Sequence, residues 1–209
     1  MIQDKIKKLG IGIAEFIGIA TSFLFITGVS YFYGYYDAGL NANWIINLLT
    51  TKELLISNIR LGAIVILVFM YLEALFDPTV NTNPTKQFVI GFIALTSLCI
   101  LSFYFNRGWV EGISYLIAFI AIFGMFYFKI FGKLICALLI LFVVPFLNGI
   151  TAYENKMKNK FPEVTIKDEK KKWLLFDTYA DQVILIDSTK REKNIRIVPI
   201  NDIENIKVK

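Results

Sequence analysis

Histidine is missing from this 209-residue chain altogether. Without imidazole, the common His-containing zinc sites and the Cys/His or Ser/His catalytic devices are excluded. Cysteine is nearly missing too, since only Cys99 and Cys136 occur, both inside apolar runs. Two thiols so placed read as small apolar packing residues and make no disulfide framework. Charge is the third shortage, at 19% of residues against 56% apolar, with a mean hydropathy of +0.59. A soluble domain needs more charged surface than this to cover its core. The shortage is local. Ionisable residues are sparse from Leu9 to Tyr153, then recur every two or three positions from Glu154 to Lys209. This pattern implies an α-helical integral membrane bundle over residues 1–153 and a small cytoplasmic, strand-rich tail domain over residues 154–209.

Five apolar runs fill the first part. The first, Leu9 to about Tyr33, follows Lys5, Lys7 and Lys8; it is too long for a signal-peptide core and reads as an uncleaved anchor helix. It ends in an aromatic cluster, Tyr31 to Tyr36, suited to the headgroup layer. Asp37 to Thr50, with Trp44 inside it, suits a short amphipathic piece along the interface. Thr50-Thr51-Lys52-Glu53 matches a capping box for a second helix that Asp77-Pro78 ends near Phe76. The third run is Gln87 to Phe105, and Asn106-Arg107-Gly108 is a polar turn. Trp109 to Phe128 is the fourth run; a turn at Lys129 to Lys133 then leads to the fifth, Leu134 to Tyr153, where Pro145 is positioned to kink the helix.

Basic residues near membrane ends mark the cytoplasmic side. Lys5, Lys7 and Lys8 favour an inside N-terminus, while Lys156, Lys158 and Lys160 favour an inside tail. Both hold only with an even number of crossings. Either one run is re-entrant and four cross, the reading preferred from charge alone, or all five cross and the N-terminus lies outside.

The tail breaks into strand-length, β-branched runs: Val164 to Ile166, Trp173 to Phe176, Val183 to Ile186 and Ile195 to Ile200. Asp187 to Lys190 is a turn signal, and Pro199 to Ile206 reads as a strand, one helical turn and a closing strand. Four or five antiparallel strands in a small curled sheet or barrel are expected. The ending is similar to that of SH3-like or Sm-like barrels.

Within the bundle, Glu15 and Glu73 stand out, with Arg60 near the start of the second helix. Intramembrane charges point to a polar pathway, a relay or a buried pair. The plainer reading puts both carboxylates close enough to the interface to reach water, and lets Arg60 snorkel outward. Tyr35, Trp44 and Trp109 are expected as interfacial anchors, with Arg107 and Glu111 forming a surface pair around Trp109. Gly10, Gly12 and Gly18 on the first helix suit close helix packing, within or between subunits. Asp177 and Asp181 fall in an expected turn, where exposed acids are ordinary. No phosphate-binding loop, G-x-S-x-G or H-E-x-x-H is present, so no enzymatic activity, cofactor or metal is expected. The net charge of +5 is modest, and acids interrupt the basic residues of the tail, which disfavours direct nucleic-acid binding.

The aromatic end Tyr31 to Leu40, several spans, and a strand-rich tail closing at Ile195 to Val208 together resemble the membrane subunit of Kiwa-type antiphage defence systems. The likeness is one of size and layout, and it carries over no individual residue. It implies an oligomeric sensor or anchor in the bacterial inner membrane that recruits a soluble DNA-binding effector through its cytoplasmic side. The residues themselves suit such a scaffold, whose partners are the lipid bilayer, further copies of the chain and a soluble protein. The rival reading is an ion or solute pore lined by Glu15, Glu73 and Arg60.

Overall fold

The computed structural model describes residues 12–57, 59, 62, 109–167, 169, 171–187 and 194–207, without the side chains of 13, 16, 109, 111, 126 and 127. The expected third run, the second helix beyond its first turns and the turn at Asn106 to Gly108 lie outside the described residues. The chain divides into two compact units, Met1–Tyr153 and Glu154–Lys209. The described part of the chain is mostly helical and ends in a small antiparallel sheet of five strands.

Helix α1 (Ile13–Leu40) starts on Gly12, whose N–H donates to the Glu15 carboxylate at 2.8 Å. It stops at Asn41, where φ of 53° places the backbone in the left-handed region that asparagine tolerates better than most residues. A 3-10 segment, Asn43–Leu48, follows; it buries Ile45 and leaves Trp44 and Leu48 exposed. Helix α2 (Thr51–Ser57) opens with the expected capping box: the Thr50 N–H donates to Glu53 Oε2 at 2.7 Å, and the Glu53 N–H donates to Thr50 Oγ1 at 3.3 Å. Helix α3 is Trp109–Tyr127. Helix α4, Ile130–Met157, is one rod of 28 residues.

Inside α4, the backbone is α-helical over Ile130–Leu138, π-helical over Leu139–Val143 and α-helical again over Val144–Met157. Pro145 accounts for this. It has no N–H to donate, and its ring crowds the carbonyl four residues earlier, so the turn before it widens to i→i+5 spacing. The Val144 N–H accordingly donates to the Leu139 carbonyl. The helix also begins at Ile130, so Lys133 lies inside it and the turn shrinks to Phe128 and Lys129. The widened turn keeps the whole stretch helical where a kink alone was expected.

Glycines let the helices touch backbone to backbone. A Cβ on Gly34 would lie 2.1 Å from the Phe146 carbonyl oxygen, and one on Gly149 would lie 2.0 Å from that of Tyr31. Gly28 meets the Leu54 carbonyl oxygen of α2 in the same way, at 1.9 Å. These glycines carry the close packing among the described helices. A Cβ on Gly18 would meet nothing within 4 Å, and one on Gly12 only Glu15 at 3.7 Å; Gly10 lies outside the described residues.

Contacts between α1 and α4 advance together along both helices. Ser30 meets Phe142, Gly34 meets Phe146, and Tyr35 meets Tyr153. The two helices therefore run parallel. Between α3 and α4 the order reverses, with Ser114 against Asn148, Ala118 against Val144, and Gly124 against Cys136. That pair is an antiparallel hairpin. Cys136 is a buried free thiol in the cluster of Ala121, Ile122 and Ile140; Cys99 lies outside the described residues. Two of these helices, Ile17–Leu40 within α1 and Ile130–Met157, are long and apolar enough to cross a membrane.

The tail sheet consists of β1 (Glu163–Ile166), β2 (Lys172–Tyr179), β3 (Gln182–Asp187), β4 (Ile195–Pro199) and β5 (Ile203–Lys207). Every neighbouring pair is antiparallel, in the order β4-β3-β2-β1-β5. The expected ending is present: one 3-10 turn, Ile200–Asp202, feeds β5 back beside β1. Backbone bonds pin this turn, from the Ile200 N–H to the Asp181 carbonyl at 2.8 Å and from the Lys167 N–H to the Asp202 carbonyl at 3.0 Å. Alternation gives the sheet its core, since Val164, Ile166, Trp173, Val183, Leu185 and Val198 share one face. A register shift between Leu175 and Asp177 makes Phe176 the extra residue of a bulge; it lies on the face opposite Trp173 and Leu175, where its ring meets Phe161 at 5.8 Å. β3 is buried from Val183 to Asp187, so both its faces are covered.

Candidate functional site

Glu15 sits in the first turn of α1, exposed, with its carboxylate on the Gly12 N–H. That is the position from which an acid best complements the helix dipole, and it precedes the apolar span that starts at Ile17. Arg60 and Glu73 lie outside the described residues, as does Arg107. The proposed charged trio is therefore not brought together by anything described.

Of the three expected interfacial anchors, Trp44 is 48% exposed on the 3-10 segment, while the side chain of Trp109, like that of Glu111, lies outside the description. Tyr35 is turned inward instead, only 5% exposed. Its ring lies edge-on to Tyr153, 6.1 Å between centroids, and to Tyr36 at 4.9 Å. The close approach at Gly34 and Gly149 brings α4 against this face and covers it. Tyr33, whose ring lies 6.3 Å from that of Phe146, is the exposed member of the cluster.

A polar seam that the sequence reading did not single out lines the helix contacts. Ser30 Oγ donates to the Phe142 carbonyl at 2.6 Å, in the π turn. Ser114 Oγ donates to Asn148 Oδ1, and the Tyr153 hydroxyl donates to the Gly39 carbonyl at 3.0 Å. In an apolar medium such bonds orient helices, each contributing roughly 0.6 kcal/mol. Serine and asparagine in apolar runs were the available signal, but which ones face each other depends on helix register.

In the tail, four charged side chains surround Trp173, itself 6% exposed. Lys171 Nζ lies 4.3 Å from the indole centroid and 2.6 Å from Asp187 Oδ2, whose side chain is fully buried. Glu169 accepts from Arg196 and from Trp173 Nε1, the latter at 3.4 Å. The Arg196 hydrogen bond, joined by that of Trp173 and the charges of Arg196 and Lys171, holds the Glu169 carboxyl below its ordinary value of 4.5 against the opposing effect of partial desolvation. Each acid already has a basic partner, so the cluster clamps the end of the sheet around an indole. Among the described residues no group of three His, Cys, Asp or Glu is placed to hold a metal ion.

Asp177 and Asp181 separate. Asp181 is in the β2–β3 turn as expected, but Asp177 lies within β2 at the bulge. There it accepts from Lys156 at 2.8 Å, the Tyr179 hydroxyl at 3.1 Å and the Thr178 N–H at 3.1 Å.

The two sheet edges differ. β4 ends at Pro199, which has no N–H to offer a neighbour. β5 has no proline and is exposed from Glu204 to Lys207, with Ile206 47% exposed and Ile200 just before it 48% exposed. A strand edge that is unpaired among the described residues and flanked by exposed isoleucines is a surface suited to protein association. Comparisons with protein-family models, with curated proteins and with solved structures find no match.

Proposed function

We propose that this chain is a multi-pass anchor or sensor of the bacterial inner membrane that recruits a soluble protein through its cytoplasmic tail. The observation that carries this reading is the junction of a 28-residue apolar helix to a compact five-stranded sheet through the short link Lys158 to Pro162. In this reading the junction keeps the sheet near the membrane surface, and the β5 edge, unpaired among the described residues, is offered to a partner.

Helix direction refines the topology in this reading. If parallel α1 and α4 both cross, the two chain ends lie on opposite sides and the number of crossings is odd. Five crossings then take precedence over four, with the tail inside and the short N-terminal segment outside. Antiphage defence supplies the role, through the likeness in layout to the Kiwa membrane subunit, and makes a soluble DNA-binding effector the first partner to seek.

Affinity purification of the full chain in mild detergent, from cells carrying the neighbouring genes, tests the proposal. A soluble protein recovered in fixed stoichiometry, and lost when residues 154–209 are removed, is the expected result. Ion or solute flux in reconstituted liposomes, with no soluble partner recovered, would overturn it in favour of a pore.

A further inference from the structure

We propose that the hollow where α4 passes into the tail sheet binds the phosphate of an anionic membrane lipid. This rests on the reading that α4 crosses the bilayer. A rod of 28 residues is about 42 Å long at 1.5 Å per residue, and a bilayer with its headgroups is about 40–45 Å thick. The last turn of α4, with Lys156, therefore belongs to the headgroup layer, and Lys160 follows just past the end of the helix at Met157.

The hollow has a volume of about 280 Å³ and is lined by Lys156, Asn159, Lys160 and Thr178 over an apolar floor that includes Phe161 and Phe176. Asp177 also borders it, yet its carboxylate is already occupied by Lys156, the Tyr179 hydroxyl and the Thr178 N–H. Lys156 is held further by the Phe176 ring, 5.0 Å from its centroid. The Lys156–Asp177 pair is thus neutral, while Lys160 is exposed and forms no ion pair among the described residues. A net positive hollow with amide and hydroxyl donors and a phenyl floor matches a phosphate diester that carries glycerol and acyl carbons behind it. An anionic headgroup also supplies its own high local concentration, which a single lysine needs.

The test is native mass spectrometry of the full chain released from nanodiscs containing equal phosphatidylglycerol and phosphatidylethanolamine. Wild type is expected to retain phosphatidylglycerol preferentially. Lys160→Gln is expected to lower that retention about fivefold, the effect of about one lysine charge near a membrane surface, and Lys160→Arg to restore it. Lys158→Gln serves as the control, because Lys158 Nζ donates to Asn155 Oδ1 at 3.1 Å and does not line the hollow. Equal retention by wild type and Lys160→Gln would overturn the proposal. Displacement of the lipid by millimolar inorganic phosphate would also overturn it, assigning the hollow to a soluble anion. Carbonate extraction separates this from the underlying reading: a chain that leaves the membrane in carbonate defeats the crossing itself, whereas one that stays but shows no lipid preference defeats only the headgroup site.

Discussion

Ala180 has a backbone φ of 47° in the β2–β3 turn, a conformation that costs a residue with a Cβ roughly 1–2 kcal/mol. Glycine removes that penalty but brings more freedom to the unfolded chain, so Ala180→Gly should stabilise the tail by about 1 kcal/mol. Thermal unfolding in detergent, followed by Trp173 fluorescence in a Trp44→Phe/Trp109→Phe background, reads the shift; a lower midpoint would count against this turn geometry. Glu169 makes a second residue-scale prediction. Its carboxyl titrates lower folded than unfolded, mainly through the Arg196 hydrogen bond. Such a group contributes stability that is complete above 4.5, its ordinary value, and is lost as pH falls through the folded value. In the same fluorescence assay, Glu169→Gln should flatten the decline in the unfolding midpoint below that pH. An unaltered profile would show that the ion pair with Arg196 is too solvated to matter.

At the scale of elements, the π turn Leu139–Val143 depends on Pro145. Pro145→Ala restores the N–H and removes the ring, so the turn is expected to relax toward ordinary α-helical bonding and its amides to exchange more slowly. Hydrogen exchange with peptide-level resolution over Leu139–Val143 measures this, and unchanged exchange would mean that packing alone widens the turn. Ser30 is coupled to the same feature through the Phe142 carbonyl. Ser30→Ala should cost about 0.6 kcal/mol, a typical interhelical bond in a membrane. The loss is checked by unfolding the chain in mixed micelles, where a value near zero would mean that the carbonyl finds another donor.

For the whole molecule, the parallel run of α1 and α4 puts the two chain ends on opposite sides if both helices cross. Reporter fusions active only outside the cytoplasm should be active at the N-terminus and silent at the C-terminus, with cytoplasmic reporters showing the reverse. Two ends on the same side would restore an even count and mean that α1 or α4 does not cross. Protease added to inside-out vesicles should reach the link between α4 and the sheet, while intact spheroplasts protect it.

Composition and periodicity by themselves determined much of this protein. The sharp rise in charge after Tyr153, the Thr50–Glu53 capping box, the strand-length runs of the tail and the helical turn before its closing strand were all legible, because each is written in neighbouring residues and obeys a local rule. The same holds for the absence of histidine chemistry. Tertiary structure decided what depends on residues far apart. Gly34 and Gly149 matter only because α1 and α4 meet there, and that meeting turns Tyr35 inward although its sequence neighbourhood suits the headgroup layer. Lys171 and Arg196 bracket Trp173 only once strand register brings Asp187 and Glu169 beside them. Ala180 lacks the glycine or asparagine signal of a left-handed turn, so its conformation is imposed by the pairing of β2 with β3. Helix direction follows from side-chain contacts more than a hundred residues apart, such as Ser30 with Phe142. Charge patterning at the termini counts basic residues but holds no information about which helices run together.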